Sequence, residues 1–268
     1  MGLEKPQNLA VRDLIDADAL RRELTALARE TRDTGSLRIS GLALIKGAFL
    51  DGRDTVKHAV EQEGLSGLAA ARALSGLQDA IIQVIYDFAT KHVYCAQNPS
   101  SAERICVVAT GGYGRGELAP GSDIDLLFVR PFKQTAWGES VIEFILYMLW
   151  DLGLKVGHAT RSLAESVRLA KLDITIRTAI LESRYLWGDR GLYEDLRKKF
   201  WNEVATGNGR NYVDAKLAER DARHGRQGES RYLVEPNIKE GKGGLRDLQT
   251  LYWIGKYLYH AEDTADLI

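Results

Sequence analysis

The N-terminal part of the chain carries apolar side chains at three- and four-residue spacing, the pattern of amphipathic helices. The pattern covers residues 11–33, 41–62 and 67–97. Asn98 and Pro99 then interrupt it, because proline disfavours the helical conformation of the residue before it. We therefore predict a helical region over residues 1–97.

Short β-branched and apolar runs follow, separated by glycine- and proline-containing turns. The predicted strands are Arg104 to Ala109, Ile124 to Val129 and Leu154 to Thr160, with a helix at residues 138–152. From Ser162 onward the pattern is again helical, including helices at residues 174–185 and 245–259.

Three strands alone bury too little apolar area to be stable, so the N-terminal helices are expected to pack on them. The predicted fold class is α+β, with a small mixed sheet and helical regions on either side in the chain. The expected division is a helical region at 1–97, an α/β core at 98–172 and a helical domain at 173–268.

Composition and charge narrow the class of protein. The 268 residues are 45% apolar and 27% charged, as in soluble globular proteins. A formal net charge of -1 offers no general attraction to nucleic acid or to a membrane, so neither partner is expected. The N-terminus lacks a signal-peptide core, and Cys95 and Cys106 have no disulfide or metal-ligand spacing. We expect a cytoplasmic protein.

The candidate chemistry lies in the segment GGYGRGELAPGSDIDLLFVR, from Gly111 to Arg130. Asp123 and Asp125 stand two residues apart at a predicted strand, so both carboxylates project from one face. A hard divalent cation such as Mg²⁺ offsets their repulsion through oxygen coordination. The alternative is a simple turn before the strand, with Ser122 and Asp123 capping the loop.

Glycines at positions 111, 112, 114 and 116 follow the first predicted strand. Without a Cβ they leave backbone N–H groups open to anionic oxygens. A dinucleotide-binding fingerprint fits poorly, since Glu117 replaces its third glycine and Pro120 shortens its helix. The sequence Gly-Lys-Ser/Thr, with which a Walker-type phosphate-binding loop ends, is also missing here. A phosphate-binding turn beside an acid pair is what nucleotidyl transfer needs.

A strand ending in Gly-Gly, followed by Asp-x-Asp on the next strand, resembles the nucleotidyltransferase superfamily that includes DNA polymerase β. The segment GGYGRGELAPGSDIDLL resembles bacterial PII uridylyltransferases. The later segments GLKVGHATRSLAE and RYLVEPNIKEGKGGLRDLQTLYWIGKYL resemble them as well. The resemblance implies a polymerase-β-like core and an Mg²⁺-dependent enzyme. Such an enzyme transfers UMP from UTP to a tyrosine of the PII nitrogen-signalling protein and releases pyrophosphate.

The resemblance also implies roles for single residues. Gly111, Gly112 and Ser122 would hold the triphosphate, and Asp123 and Asp125 would coordinate Mg²⁺.

Two cations are further candidates for nucleotide binding. Arg115 lies on the glycine-rich turn, where an arginine that merely solvates the turn is the alternative. Lys239 lies in a second glycine-rich segment, residues 235–244, and either it or Arg246 is predicted to face the nucleotide. The alternative is that the glycines only shape the start of a helix.

Many relatives carry a third acid on a neighbouring strand, where this chain offers His158, either as a base or as a structural residue. Two other functions stay open: adenylyl transfer of the glutamine synthetase type, and a regulatory module that binds nucleotide without turnover. The resembled enzymes continue into a His-Asp phosphohydrolase domain and glutamine-sensing domains. This sequence has no His-Asp dipeptide, so we expect a fragment without uridylyl-removing activity.

Overall fold

The computed structural model describes residues 8–96, 100–132, 134–226, 237–261 and 266. Contacts divide the chain into two compact units. Unit 1 comprises Met1–Leu163 and Glu182–Glu194, and unit 2 comprises Ala164–Leu181 and Asp195–Ile268. The segment Glu182–Glu194 thus returns to unit 1, and the expected domain boundaries after residues 97 and 172 stay predictions.

The N-terminal part of unit 1 is helical. Its helices are α1 (Val11–Leu14), α2 (Ala17–Glu30), α3 (Thr34–Gln62) and α4 (Gly67–Phe88), the last continued by a π-helical turn (Ala89–Val93). Asp16 caps α2 by accepting from the Ala19 N–H at 2.8 Å, and Asp33 caps α3 by accepting from the Ser36 N–H at 2.7 Å. The Asp16 cap starts a new helix, so the single helix predicted over residues 11–33 is divided into α1 and α2. The Asp33 cap starts α3 at Thr34, earlier than the predicted residue 41.

Unit 1 also contains a sheet of four strands in the order β3-β2-β1-β4. The strands are β1 (Cys106–Thr110), β2 (Ile124–Arg130), β3 (Val156–Ser162) and β4 (Arg184–Gly188). β1 is antiparallel to both β2 and β4, whereas β3 is parallel to β2. The short helix α5 (Gly111–Gly114) follows β1 directly, and α6 (Ala136–Asp151) connects β2 to β3. The predicted α+β class is confirmed.

One hydrophobic cluster joins the helices to the sheet. Alternate strand residues, among them Val107, Ala109, Leu126 and Phe128, belong to the same buried cluster as side chains of α3, α4 and α6. Among the described residues, one helix, Gly67–Val93, has the length and apolar content of a membrane span, and most of its apolar window is buried within the protein. That burial is what a core helix requires.

The described part of unit 2 is mainly helical. It contains most of α7 (Leu163–Leu172), α8 (Ile174–Leu181), the end of α9 (Arg190–Lys199) with a π-helical continuation (Phe200–Ala205), α10 (Gly209–Arg226) and α11 (Leu245–Tyr259). Tyr212 of α10 stacks on Tyr257 of α11 with ring centroids 3.9 Å apart. The Tyr212 hydroxyl also lies 3.0 Å from Thr178 Oγ1, which ties α8 to this aromatic pair.

Strand β4 corrects the prediction of a helix over residues 174–185. The helix α8 ends at Leu181, and the backbone of Tyr185 and Trp187 pairs with β1. Aromatic residues fit a half-buried strand, and long-range pairing outweighs local helical preference here. As a result, a segment distant in sequence lies beside the glycine-rich turn.

Candidate functional site

The acid pair lies at the rim of the sheet where β1 ends. Asp125, the second residue of β2, pairs with Thr110 of β1 on one side and with Gly157 of β3 on the other. Ile124 is fully buried, whereas Asp123 and Asp125 on either side of it are exposed. Because strand residues alternate between faces, the Asp125 carboxylate projects from the face opposite the core shared with α4 and α6.

The two carboxylates interact electrostatically. Desolvation by the surrounding protein, and secondarily the negative charge of Asp123, raise the pKa of Asp125 above its usual value. A carboxylate that is desolvated and lies near a second negative charge is stabilised by a bound cation. Within the described ranges, no three His, Cys, Asp or Glu side chains gather as a metal site. The oxygens of two neighbouring carboxylates are ligands of the kind that a hard cation accepts.

Two glycines make room for the Asp125 carboxylate. A Cβ on Gly111 would lie 2.8 Å from Asp125 Oδ2, and a Cβ on Gly157 would overlap Asp125 Oδ1. Gly111 also has a φ of 58°, in the left-handed region that other residues rarely adopt. The Asp125 carboxylate thus occupies a notch between the start of α5 and β3, and any side chain at position 111 or 157 would fill this notch.

A charged network beneath the turn holds α5 in place. The buried Tyr113 donates its hydroxyl to Asp79 Oδ1 at 2.6 Å, and Arg184 Nη1 donates to Asp79 Oδ2 at 2.5 Å. Arg184 Nη2 donates to the Tyr113 carbonyl at 3.2 Å, and the guanidinium lies over the Tyr113 ring. The turn is thereby tied to α4 through Asp79 and to β4 through Arg184.

Arg115 is held by the carboxylate of Glu182, which no sequence pattern marks. Its Nη1 donates to Oε1 of Glu182 at 2.7 Å, and the Glu182 side chain is only 2% exposed. The neighbouring Gly114 packs so closely on the Glu182 carbonyl that a Cβ would overlap it. In sequence, Glu182 falls within a predicted helix and has the appearance of a surface residue, so no local signal marks it.

The other predicted residues of the turn lie near these contacts. A Cβ on Gly112 would be 3.5 Å from Arg115 Nη2, so this glycine lies beneath the guanidinium. Ser122 is exposed in the bend before β2, and its N–H donates to the Ala119 carbonyl at 3.1 Å. Ser122, Asp123 and Asp125 are therefore all exposed at the start of β2.

His158 does not lie with the acid pair. It stands opposite Leu126 in the β2–β3 register, one residue beyond the Asp125–Gly157 pair, and so projects from the other face of the sheet. There its ring packs edge-on against Trp150 of α6, with centroids 6.2 Å apart. This placement favours the structural alternative for His158, because strand alternation puts its ring on the face opposite the Asp125 carboxylate.

The second glycine-rich segment belongs to unit 2 and is described from residue 237 onward. The Asn237 side-chain oxygen accepts from the N–H groups of Lys239 and Glu240 at 3.1 and 2.9 Å. Asp247 Oδ2 accepts from the Gly243 N–H at 2.8 Å. Lys239 is exposed on this turn. Its proposed contact with a nucleotide stays a prediction.

Two family profiles match separate parts of the chain. The family described as glutamate-ammonia ligase adenylyltransferase matches residues 55–147, which include the glycine-rich turn and the acid pair. The family described as GlnD PII-uridylyltransferase matches residues 211–268.

Curated proteins named bifunctional uridylyltransferase/uridylyl-removing enzyme are similar over nearly the whole chain. The Rhodospirillum rubrum protein is 53% identical over 257 residues, which are 96% of this chain and 28% of that protein. The Caulobacter vibrioides protein is 53% identical over 95% of this chain and 27% of its own length. The Bradyrhizobium sp. protein is 54% identical over 94% of this chain and 27% of its own length. The chain thus spans little more than a quarter of the curated relatives it matches.

Proposed function

Because this chain is a homologue of a segment of the bifunctional uridylyltransferase/uridylyl-removing enzymes, we propose that it performs their nucleotidyl transfer. The proposed reaction transfers UMP from UTP to a tyrosine hydroxyl of the PII signalling protein in the cytoplasm. The hydroxyl oxygen bonds to the α-phosphorus, the bond from that phosphorus to the bridging oxygen breaks, and pyrophosphate leaves while the hydroxyl proton is lost. The observation that carries this proposal is the Asp125 carboxylate in its glycine notch beside Asp123.

The acid pair fits a magnesium ion, since two carboxylates lie together at an open rim, and burial together with Asp123 raises the pKa of Asp125. Asp123 and Asp125 would hold the ion. A bound Mg²⁺ supplies charge neutralisation on the phosphates and lowers the pKa of an attacking hydroxyl.

The glycine-rich turn provides the phosphate-binding part of the proposed site. We assign the backbone of Gly111 and Gly112 and the Ser122 hydroxyl to the triphosphate, with Arg115 adding positive charge from the same turn. Catalysis of this kind depends on positioning and charge rather than on covalent chemistry. The ties of Tyr113 to α4 and β4 serve that requirement, because they hold in place the turn whose Gly111 lies against the Asp125 carboxylate.

The decisive experiment combines the chain with α-labelled UTP, Mg²⁺ and PII. We expect label on PII, and we expect Asp125→Asn to lower the transfer rate by at least about a hundredfold. The matched control is Asp54→Asn, since Asp54 is an exposed aspartate of α3. A second readout is thermal: Mg²⁺ with UTP should raise the Tm of the wild-type chain and not that of Asp125→Asn. Full activity in Asp125→Asn would remove this residue from the mechanism.

Adenylyl transfer is a second candidate, because the adenylyltransferase family profile covers the acid pair and its turn. It is tested by replacing UTP with labelled ATP and PII with glutamine synthetase in the same assay. Label on glutamine synthetase but not on PII would favour this candidate. Binding of UTP without transfer to either acceptor would favour a regulatory module.

A further inference from the structure

Glu182 lies beneath the glycine-rich turn, and the reaction proposed above gives it no role. Its side chain is 2% exposed, whereas that of its partner Arg115 is 23% exposed. A buried carboxylate is tolerated when a cation and hydrogen bonds compensate its charge. Arg115 Nη1 provides that compensation at 2.7 Å. The buried partner is therefore the fixed one, and the more exposed arginine is the one whose position it sets.

The contact orients the guanidinium over the turn. Nη1 is bound to Glu182, while Nη2 lies 3.5 Å from the position that a Cβ on Gly112 would take. A guanidinium is planar and presents its donors in a rigid fork, so fixing one nitrogen fixes the direction of the others. In this orientation the second nitrogen faces Gly112, one of the two glycines assigned to the triphosphate.

The main chain of Glu182 acts on the same turn. Its carbonyl oxygen occupies the space that a Cβ on Gly114 would need. The side chain of Glu182 thus sets the position of Arg115, and its main chain sets that of the preceding residue. Arg184, two residues later, holds Tyr113 by its carbonyl. Three consecutive turn residues, 113–115, are therefore positioned from one short stretch of chain.

We propose that Glu182 is a positioning residue that directs the Arg115 guanidinium onto the triphosphate of the bound nucleotide. This inference rests on the proposed function. An arginine without its buried partner samples several rotamers, and the ordering lost must be supplied again on binding. Glu182 therefore strengthens binding of the triphosphate without touching it.

The test is equilibrium binding of UTP and of UMP with Mg²⁺ and without acceptor. We expect Glu182→Ala to weaken UTP binding roughly tenfold and UMP binding much less, because the contact is to phosphates that UMP lacks. Glu182→Gln keeps an oxygen that accepts from Arg115 and should retain UTP affinity within about threefold. Adding Arg115→Ala to Glu182→Ala should weaken binding no further than Arg115→Ala alone, because a residue that acts only through another is non-additive with it.

Additive losses in that cycle, or equal losses for UTP and UMP, would show that Glu182 supports the fold generally and would overturn the proposal. Should Glu182→Ala not unfold cooperatively, Arg115→Lys takes its place. It keeps a cation beside Glu182 but loses the planar fork, and we expect roughly tenfold weaker UTP binding. Wild-type affinity in Arg115→Lys would overturn the proposal. If the wild-type chain binds no nucleoside triphosphate, the proposed function fails and the inference with it; if it binds UTP and the variants match it, the inference alone fails.

Discussion

The two glycine-rich segments of this chain look alike in sequence and differ in what their missing side chains make room for. In the first, residues 111–116, Gly111 leaves space for the Asp125 carboxylate and Gly114 for the Glu182 carbonyl. Both neighbours come from other strands or from the turn leading into them. The first segment is therefore shaped around distant parts of unit 1.

In the second segment the glycines pack on their own turn. A Cβ on Gly241 would lie 2.7 Å from the Asn237 carbonyl oxygen, and a Cβ on Gly244 would lie 2.6 Å from that of Ile238. The turn closes on itself and starts α11. The glycines of the first segment thus make room for groups from distant parts of the chain, whereas those of the second make room only for their own turn.

The largest loss of activity is expected from a substitution in the notch that holds the Asp125 carboxylate. Gly157 is crowded by Asp125 Oδ1 and has no positive φ, so Gly157→Ala tests crowding without backbone strain. The new methyl group should displace the carboxylate and lower kcat for transfer roughly a hundredfold, the usual result of misplacing a catalytic group by about 1 Å. Steady-state kinetics of the folded variant measure this.

Gly121→Ala is the matched control. Gly121 has a φ of 76° and no neighbour within 4 Å of a built Cβ, so this variant suffers strain without crowding. It should lose stability and keep its kcat. A comparable loss of kcat in both variants would refute the crowding explanation.

A substitution in the second glycine-rich segment should lower the stability of the fold instead of the rate of transfer. Gly244→Ala crowds two carbonyl oxygens of its own turn, so we expect the free energy of unfolding to fall by about 1–3 kcal/mol. The KM for UTP should stay unchanged, and denaturant unfolding with parallel kinetics checks both. A change in KM beyond that of Gly243→Ala, whose Cβ meets nothing within 4 Å, would assign this turn to the nucleotide site.

The two glycine-rich segments should also differ in how an aspartate beside each makes the stability of the fold depend on pH. The pKa of Asp125 is raised by desolvation and by Asp123, so the folded chain binds more protons than the unfolded one between the two pKa values. Stability is thus lost as pH rises through the folded pKa. Asp125→Asn should raise the Tm of the metal-free chain at neutral pH, and this gain should vanish in acid.

Asp247, beside the second turn, should behave oppositely. Burial opposes its ionisation, but the Gly243 N–H, Arg223 and His224 outweigh burial and lower its pKa. Its stabilisation is present above the unfolded pKa and is lost as pH falls through the folded one. Asp247→Asn should therefore lower the Tm at neutral pH. The same sign of Tm change in both variants would contradict this account.

The smallest effect concerns Lys239. An exposed ammonium contributes little to binding, so Lys239→Ala should raise the KM for UTP by about threefold if it faces the nucleotide. Lys242→Ala, a second lysine of the same turn, serves as the control. An unchanged KM would confine phosphate recognition to the first glycine-rich turn.

The sequence by itself determined the acid pair, the glycine-rich turn, three strands and most helices. These features are encoded by spacing over a few residues, because alternation places Asp123 and Asp125 about buried Ile124 and three- to four-residue spacing gives a helix its apolar face. The α+β class follows from the same local patterns.

Only the tertiary structure decided the fourth strand, the face occupied by His158 and the partners of the turn. Arg184 and Asp79 lie 105 residues apart, and Arg115 and Glu182 lie 67 apart, so no local pattern records either pair. Such contacts depend on which strands pair and in what register. The free energy of strand pairing comes from many residues that are distant in sequence, so no short segment of the sequence specifies which strands pair.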